Sequence, residues 1–124
     1  MATSQPAPLL IDQGLVHQAF AGEQSRTAEL KDSLKNAERP SQRMEAAEEL
    51  SKGLYLQSRE IKAALMLAAT DDPAACVRAA CIRCLAQQGV CDEEFTKLIA
   101  AAQNDKDESV REEAGYALKK VNRK

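Results

Sequence analysis

Apolar residues recur at intervals of three and four positions along most of the chain, which is typical of amphipathic helices and not of strands. The first such segment covers residues 9–21. The next begins at Ser25 and closes before Pro40, because proline disfavours helix at the residue that precedes it. The same spacing predicts further helices over residues 41–53, 58–70, 73–88, 93–103 and 107–121.

Capping and breaking residues support several of these boundaries. Asp72 is predicted as an N-cap with Pro73 in the first turn, where the missing N–H costs nothing. Asp92 is predicted as the N-cap of the following helix. Gly53 and Gly89 are predicted as stop signals.

Three of the predicted helices share one pattern, in which an arginine is followed by a small residue at the third position and a leucine at the seventh. The arginines are Arg43, Arg78 and Arg111, which lie 35 and 33 residues apart. The preceding helices align as well, with a leucine 13 positions before each arginine: Leu30, Leu65 and Leu98. The repeating unit is therefore a pair of helices, which predicts a stacked array that presents a binding surface.

These elements predict an all-α solenoid of about three helical-hairpin repeats, over residues 25–53, 58–89 and 92–121, plus an N-terminal capping helix. The scarcity of aromatic residues (two Tyr, two Phe, no Trp) favours helices packed through Ala and Leu. Residues 1–8 contain two prolines and are predicted to form a flexible arm. Residues 9–124 are predicted to form one domain.

Net charge and hydropathy limit the classes of partner that we expect. The formal net charge of −2 leaves no sustained basic field for a phosphate backbone, so nucleic acid is not an expected partner. No stretch reaches the roughly 18 apolar residues of a membrane span, so no membrane is expected. The first residues lack a basic segment followed by a long apolar one, which predicts a cytoplasmic protein with reduced thiols.

The stretch from Asp72 to Leu85 resembles the second helix of a HEAT-like repeat, of the short kind also found in phycobilisome-lyase-related proteins. The matching features are the Asp, a nearby Pro, Val-Arg, then small residues and a Leu, and the stretch from Asp105 to Leu118 matches better. The stretch around Arg43 departs from the pattern, with Ala37, Gln42 and Glu49 in place of the Asp, the Val and a small residue. The resemblance covers about residues 25–121. It implies a right-handed stack whose second helices line one concave face.

An acidic residue precedes two of the repeated arginines by six positions: Asp72 precedes Arg78, and Asp105 precedes Arg111. One interpretation is that the arginines, with Arg43, form an anion-binding ladder. The favoured interpretation is that Asp–Arg pairs between neighbouring repeats orient the stack, as a structural ladder.

The four cysteines and the single histidine could suggest metal or redox chemistry. Cys81 and Cys84 occupy the positions that Ala114 and Ala117 hold in the next repeat, which predicts small apolar packing rather than metal binding, redox activity or thioether attachment. The chain has no G-x-S-x-G, Walker or H-E-x-x-H motif. We therefore predict no catalytic residue, no metal and no cofactor.

The candidate binding surface follows from repeat geometry. In each second helix, the positions one, five and nine after the arginine lie along one stripe. We call these residues the second-helix stripe, and they are Met44, Glu48, Lys52, Ala79, Arg83, Gln87, Glu112, Tyr116 and Lys120. A merely solvated face is the alternative interpretation of the stripe.

The predicted function is a non-catalytic protein-interaction or assembly module that presents a concave helical surface to a protein partner. Two other functions stay open. One is a lyase-type or chromophore-handling protein that uses an exposed cysteine, since the resembled family includes lyases. The other is a self-assembling structural subunit, because an array of only three repeats can stack on another copy.

Overall fold

The computed structural model describes residues 26–122 and contains only helices and their connections over that range. Helix α1 is described over 26–36. It is followed by α2 (Pro40–Leu50), a short 3-10 helix (Gly53–Gln57), α3 (Arg59–Asp71), α4 (Ala75–Gln87), α5 (Glu93–Ala102) and α6 (Glu108–Asn122). The all-α prediction is confirmed. The predicted arm (1–8) and capping helix (9–21) lie outside the described residues.

One predicted boundary of α2 is wrong. Helix α1 ends before Pro40, as predicted, and Pro40 itself starts α2, where its missing N–H breaks no helical hydrogen bond. At the other end α2 stops at Leu50, three residues before the predicted glycine. There the Ser51 hydroxyl donates to the Glu48 carbonyl at 2.8 Å and competes with continuation of the helix. The chain then turns through the 3-10 helix.

The predicted N-cap role of Asp72 is also wrong. Helix α4 begins at Ala75 with Ala74 as its N-cap, and Asp72 is the C-cap of α3. The Asp72 carboxylate accepts the N–H of Ala74 at 2.9 Å, which closes a side-chain turn between the two helices. Asp72 therefore shapes the connection rather than the first turn of α4.

The helices form two layers. Helices α2, α4 and α6 are neighbours in one layer, and α3 and α5 are neighbours in the other. The hairpins α3–α4 and α5–α6 join the layers. Successive helices form hairpins, and the equivalent helices of neighbouring repeats lie side by side. The helix-pair repeat predicts this arrangement.

Helix α4 lies at the centre of the core. Nine of its thirteen residues are buried, because it packs against α2 and α6 within its layer and against α3 across it. Most of the buried residues are small (Ala79, Ala80, Cys81, Cys84 and Ala86), so neighbouring helices can approach closely.

Two glycines in the layer formed by α2, α4 and α6 differ in how well another residue could replace them. Gly89 follows α4 with a φ of 83°, a left-handed conformation that favours glycine. Its N–H bonds the Ala86 carbonyl and the N–H of Val90 bonds the Leu85 carbonyl, which is the Schellman arrangement. Gly115 lies inside α6, and an added Cβ there would meet no atom within 4 Å.

We expect Gly115→Ala to raise the free energy of unfolding by about 0.5–1 kcal/mol, because alanine loses less backbone freedom in a helix. We expect Gly89→Ala to lower it by about 1–2 kcal/mol through the left-handed conformation. Urea denaturation followed by circular dichroism measures both. A stabilising Gly89→Ala or a strongly destabilising Gly115→Ala would contradict the described termination of α4 or the open space at α6.

Candidate functional site

The predicted Asp and Arg residues form two bidentate contacts between neighbouring repeats. Arg43 donates from Nε to Asp72 Oδ2 at 2.9 Å and from Nη2 to Oδ1 at 3.2 Å. Arg78 makes the same two contacts to Asp105, each at 3.0 Å. The arginine of one repeat thus binds the aspartate in the connection between the two helices of the next repeat, in the fork geometry that suits a guanidinium and a carboxylate.

The third nitrogen of each guanidinium binds the backbone of its own repeat. Nη1 of Arg43 donates to the Ala37 carbonyl at 2.6 Å. Nη1 of Arg78 donates to the Asp72 carbonyl at 2.7 Å, and that of Arg111 to the Asp105 carbonyl at 2.7 Å. All three acceptors lie six positions before the arginine. We use the name Asp–Arg ladder for Arg43, Asp72, Arg78, Asp105 and Arg111.

The first two contacts of the ladder are shielded from water. The exposed fractions of the side chains are 10% and 5% for Arg43 and Asp72, and 7% and 16% for Arg78 and Asp105. The hydrogen bond from Arg78 is the main cause that lowers the pKa of Asp105, and the same bond raises the pKa of Arg78. Buried pairs of this kind add little net stability but are costly to break, so they specify how neighbouring repeats pack.

The repeated helix pairs and the ladder correspond to a known family, since a family model described as HEAT repeats matches residues 27–119. The chain belongs to the HEAT-repeat family. No curated protein and no solved structure matched the chain in the parallel comparisons. The match does not distinguish the phycobilisome-lyase-related kind, which stays a prediction. HEAT repeats generally mediate protein–protein interaction or scaffolding and are generally not enzymes.

The second-helix stripe is only partly exposed. At the positions five and nine after the ladder arginine, side chains reach solvent in all three HEAT repeats: Glu48, Lys52, Arg83, Gln87, Tyr116 and Lys120. The prediction that Lys52 lies on the second helix is wrong, because α2 ends at Leu50 and Lys52 has an extended backbone. Arg83 is half-buried and forms an ion pair with Glu113 of α6 at 3.4 Å. The sequence pattern did not identify Glu113 as the residue that holds Arg83 in place.

The inclusion of Ala79 in the stripe is wrong, because Ala79 is 5% exposed and belongs to the core. Met44, at the same position of the first HEAT repeat, is half-buried against the core. Only Glu112 of the last repeat is exposed there. The first position of the stripe is therefore a packing position between second helices, and it opens to solvent at α6.

Two shallow clefts border the exposed part of the stripe. One, of about 440 Å³, lies between α1 and α2 and includes Glu48 and Lys52 in its lining. The other, of about 370 Å³, lies where α4 ends beside α6 and includes Gln87, Cys91 and Lys120. Both are open, and the first is lined mostly by charged and polar side chains, whereas a small-molecule site is usually enclosed and mostly apolar. Within residues 26–122, no group of three potential metal ligands comes together.

The cysteines divide into two classes. Cys81 and Cys84 are buried at the positions that Ala114 and Ala117 hold in the next HEAT repeat, and all four side chains lie in the interior. Burial raises the pKa of the Cys81 thiol to about 12 and raises that of Cys84 as well. Cys76 and Cys91 are exposed. Lyase-type chemistry, if present, would have to use one of the exposed pair.

Ion pairs of the other layer also join repeats, and the sequence pattern did not reveal them. Lys62 of α3 donates to Asp92 at 2.8 Å, which is the main cause that lowers the pKa of Asp92. Lys31 of α1 lies 3.1 Å from Glu60 of α3. These contacts are partly exposed and contribute little to stability.

None of the helices described between residues 26 and 122 has the length and apolar character that crossing a bilayer requires.

We expect Asp105→Asn to lower the free energy of unfolding by about 2–3 kcal/mol at pH 7, because the Arg78 guanidinium loses its charged acceptor in a shielded site. Because the folded-state pKa of Asp105 is lowered, its contribution is present above the unfolded-state pKa of about 4 and is lost as the pH falls through the folded value. Denaturation of both proteins between neutral and acidic pH therefore shows a difference that shrinks in acid. Asp71→Asn, at an exposed neighbouring carboxylate, is the control and changes stability by less than about 0.5 kcal/mol. A pH-independent difference would contradict a role for the Asp105 charge.

We also expect a thiol reagent at pH 8 to label Cys76 and Cys91 quickly and to leave Cys81 and Cys84 unmodified until the protein unfolds. Burial raises the pKa of Cys81 to about 12, so very little of this thiol is ionised at that pH, and the helices block access. Peptide mass spectrometry after timed labelling measures each site. Fast labelling of Cys81 or Cys84 in the native state would show that α4 opens or that these thiols serve in chemistry.

Proposed function

We propose that this HEAT-repeat protein is a non-catalytic interaction or assembly module, and that its partner binds the exposed part of the second-helix stripe. The observation that carries the proposal is the exposure of Tyr116, whose side chain on α6 is 60% accessible. Tyrosine supplies a large contact area at low entropic cost, and buried Tyr and Arg dominate the binding energy of many interfaces.

The surroundings of Tyr116 support this assignment. Arg83 lies on the neighbouring α4 and is oriented by Glu113, so its guanidinium loses little conformational freedom when a partner binds. Gln87 and Lys120 extend the surface towards the cleft where α4 ends. The α4 and α6 backbones are fixed by the core and the Asp–Arg ladder, so the surface is formed before the partner arrives.

The same surface suits a protein better than a small molecule or a nucleic acid. Its clefts are shallow, and its charges are mixed, with Glu48 and Glu112 beside Lys52, Arg83 and Lys120. A mixed polar rim around an aromatic anchor is the usual composition of a protein–protein interface.

We expect the double variant Arg83→Ala, Tyr116→Ala to lose its partner in an affinity capture from native lysate quantified by mass spectrometry. Removing two anchor side chains costs about 2 kcal/mol or more, or at least a tenfold loss of bound partner. Leu67→Ala is the matched control, since Leu67 is the other large apolar side chain that is well exposed in the described region, at 53% on α3. Capture that Leu67→Ala abolishes and the double variant retains would assign binding to the other layer.

A further inference from the structure

Arg111 is the last position of the Asp–Arg ladder, and no carboxylate lies opposite it among residues 26–122. Its Nη1 donates to the Asp105 carbonyl at 2.7 Å, the distance at which Arg78 binds Asp72. The guanidinium is therefore anchored in the same way as in the preceding repeat. The two nitrogens that bind an aspartate in the first two repeats, Nε and Nη2, have no hydrogen-bond acceptor in the described chain, and the side chain is exposed.

The face of α6 beside Arg111 is also uncovered. The positions that are buried in α4 as Ala79, Ile82 and Ala86 are Glu112, Gly115 and Lys119 in α6. None of these three is buried, and the space above Gly115 is open to at least 4 Å. Helix α4 has a neighbour on each side within its layer, whereas among the described helices α6 has only α4. These positions therefore mark the face on which a further element would lie.

The chemistry of this face does not suit another apolar helix. Two of the three apolar packing residues are replaced by charged ones and the third by glycine, so stacking there would bury a carboxylate and an ammonium group. The ladder arginine is nevertheless present with its backbone anchor intact. The face therefore presents the guanidinium of this arginine, with Lys119 and Glu112 on the same side of the helix.

We propose that this face of α6 is a second docking surface, and that it binds an acidic turn of a partner protein through a bidentate contact between Arg111 and an aspartate. The chain itself contains the template for this contact, since Arg43 and Arg78 each hold an aspartate in a tight turn between helices. The partner's aspartate takes the place that Asp72 and Asp105 take in those two repeats. The surface adjoins the one centred on Arg83 and Tyr116, and Glu112 is common to both.

A second copy of the chain is not the occupant that the contacts favour. Head-to-tail stacking would bring the start of the first repeat to Arg111. The residue equivalent to Asp72 at that position is Ala37, which has no carboxylate. A second copy stacked in this way therefore offers no carboxylate at that position of its first repeat.

The direct test observes the arginine Nε–H resonances of the full chain by NMR during titration with a blocked peptide of residues 103–108, Gln-Asn-Asp-Lys-Asp-Glu. The Arg111 resonance is expected to shift saturably with a dissociation constant of about 1–10 mM, as suits one bidentate charged contact. The resonances of Arg43 and Arg78 are expected to stay in place. The same peptide with Asp105→Asn is expected to bind about tenfold more weakly.

Two variants of the full chain separate fork geometry from charge. Arg111→Lys keeps the charge but loses the fork and the Nε–H resonance, so its binding is followed by the backbone amide resonances of α6, which are expected to lose most of their response to the peptide. Lys97→Gln removes one positive charge from the exposed side of α5 and is expected to leave binding unchanged. Circular dichroism of each variant checks that the helices are retained.

Several outcomes would overturn the proposal. They are the lack of a saturable shift up to about 50 mM peptide, equal binding of both peptides, or full binding by Arg111→Lys. An equally strong response to inorganic phosphate would reduce the site to general anion attraction. A stable dimer that Arg111→Glu dissociates would assign the face to a second copy of the chain.

Discussion

The packing of the repeats depends on a guanidinium that is held from two sides. One nitrogen binds the backbone of the connection before its own helix, and the other two bind the aspartate of the next connection. The contact from Arg43 to Ala37 and Asp72 shows both halves. The faces that pack between α2, α4 and α6 are rich in alanine, which leaves few bulky side chains to fix the register between helices. A bidentate, shielded ion pair tolerates no sliding, and it turns a general attraction between helices into one defined stack.

The fold was predictable because each helix carries its own periodic signal and each repeat supplies a comparison for the others. The equivalence of Cys81 with Ala114 predicted an interior position from the alignment of repeats alone, and the side chain is fully buried. The partners of the ladder followed from the same alignment. The side chains of Ser58 and Asp92 each accept a hydrogen bond from a backbone N–H in the first turn of the helix that follows, as N-cap residues do. The predicted starts of α3 and α5 are therefore correct to within one residue.

The parts that the sequence could not predict are those that depend on what lies beside a residue. Ala79 and Glu112 hold the same position in their helices, yet one is buried and the other is exposed. Among the described helices, α4 has two neighbours in its layer and α6 has one. Periodicity describes one helix and says nothing about its place in an array. Asp72 was assigned to the wrong turn for a related reason. Its carboxylate accepts hydrogen bonds from a backbone N–H in the connection between two helices and from a distant arginine. A local capping rule considers only the first of these bonds.

The central position of α4 means that the repeats do not behave as independent modules. Nine of its side chains are shared between the hairpins on either side, so separating any one hairpin leaves a large part of this helix facing water. Local opening in the middle of the described array then costs nearly as much as losing the whole fold. A protein built in this way passes from folded to unfolded in one cooperative step. Any ligand that binds only the folded form at either end would therefore stabilise the whole array.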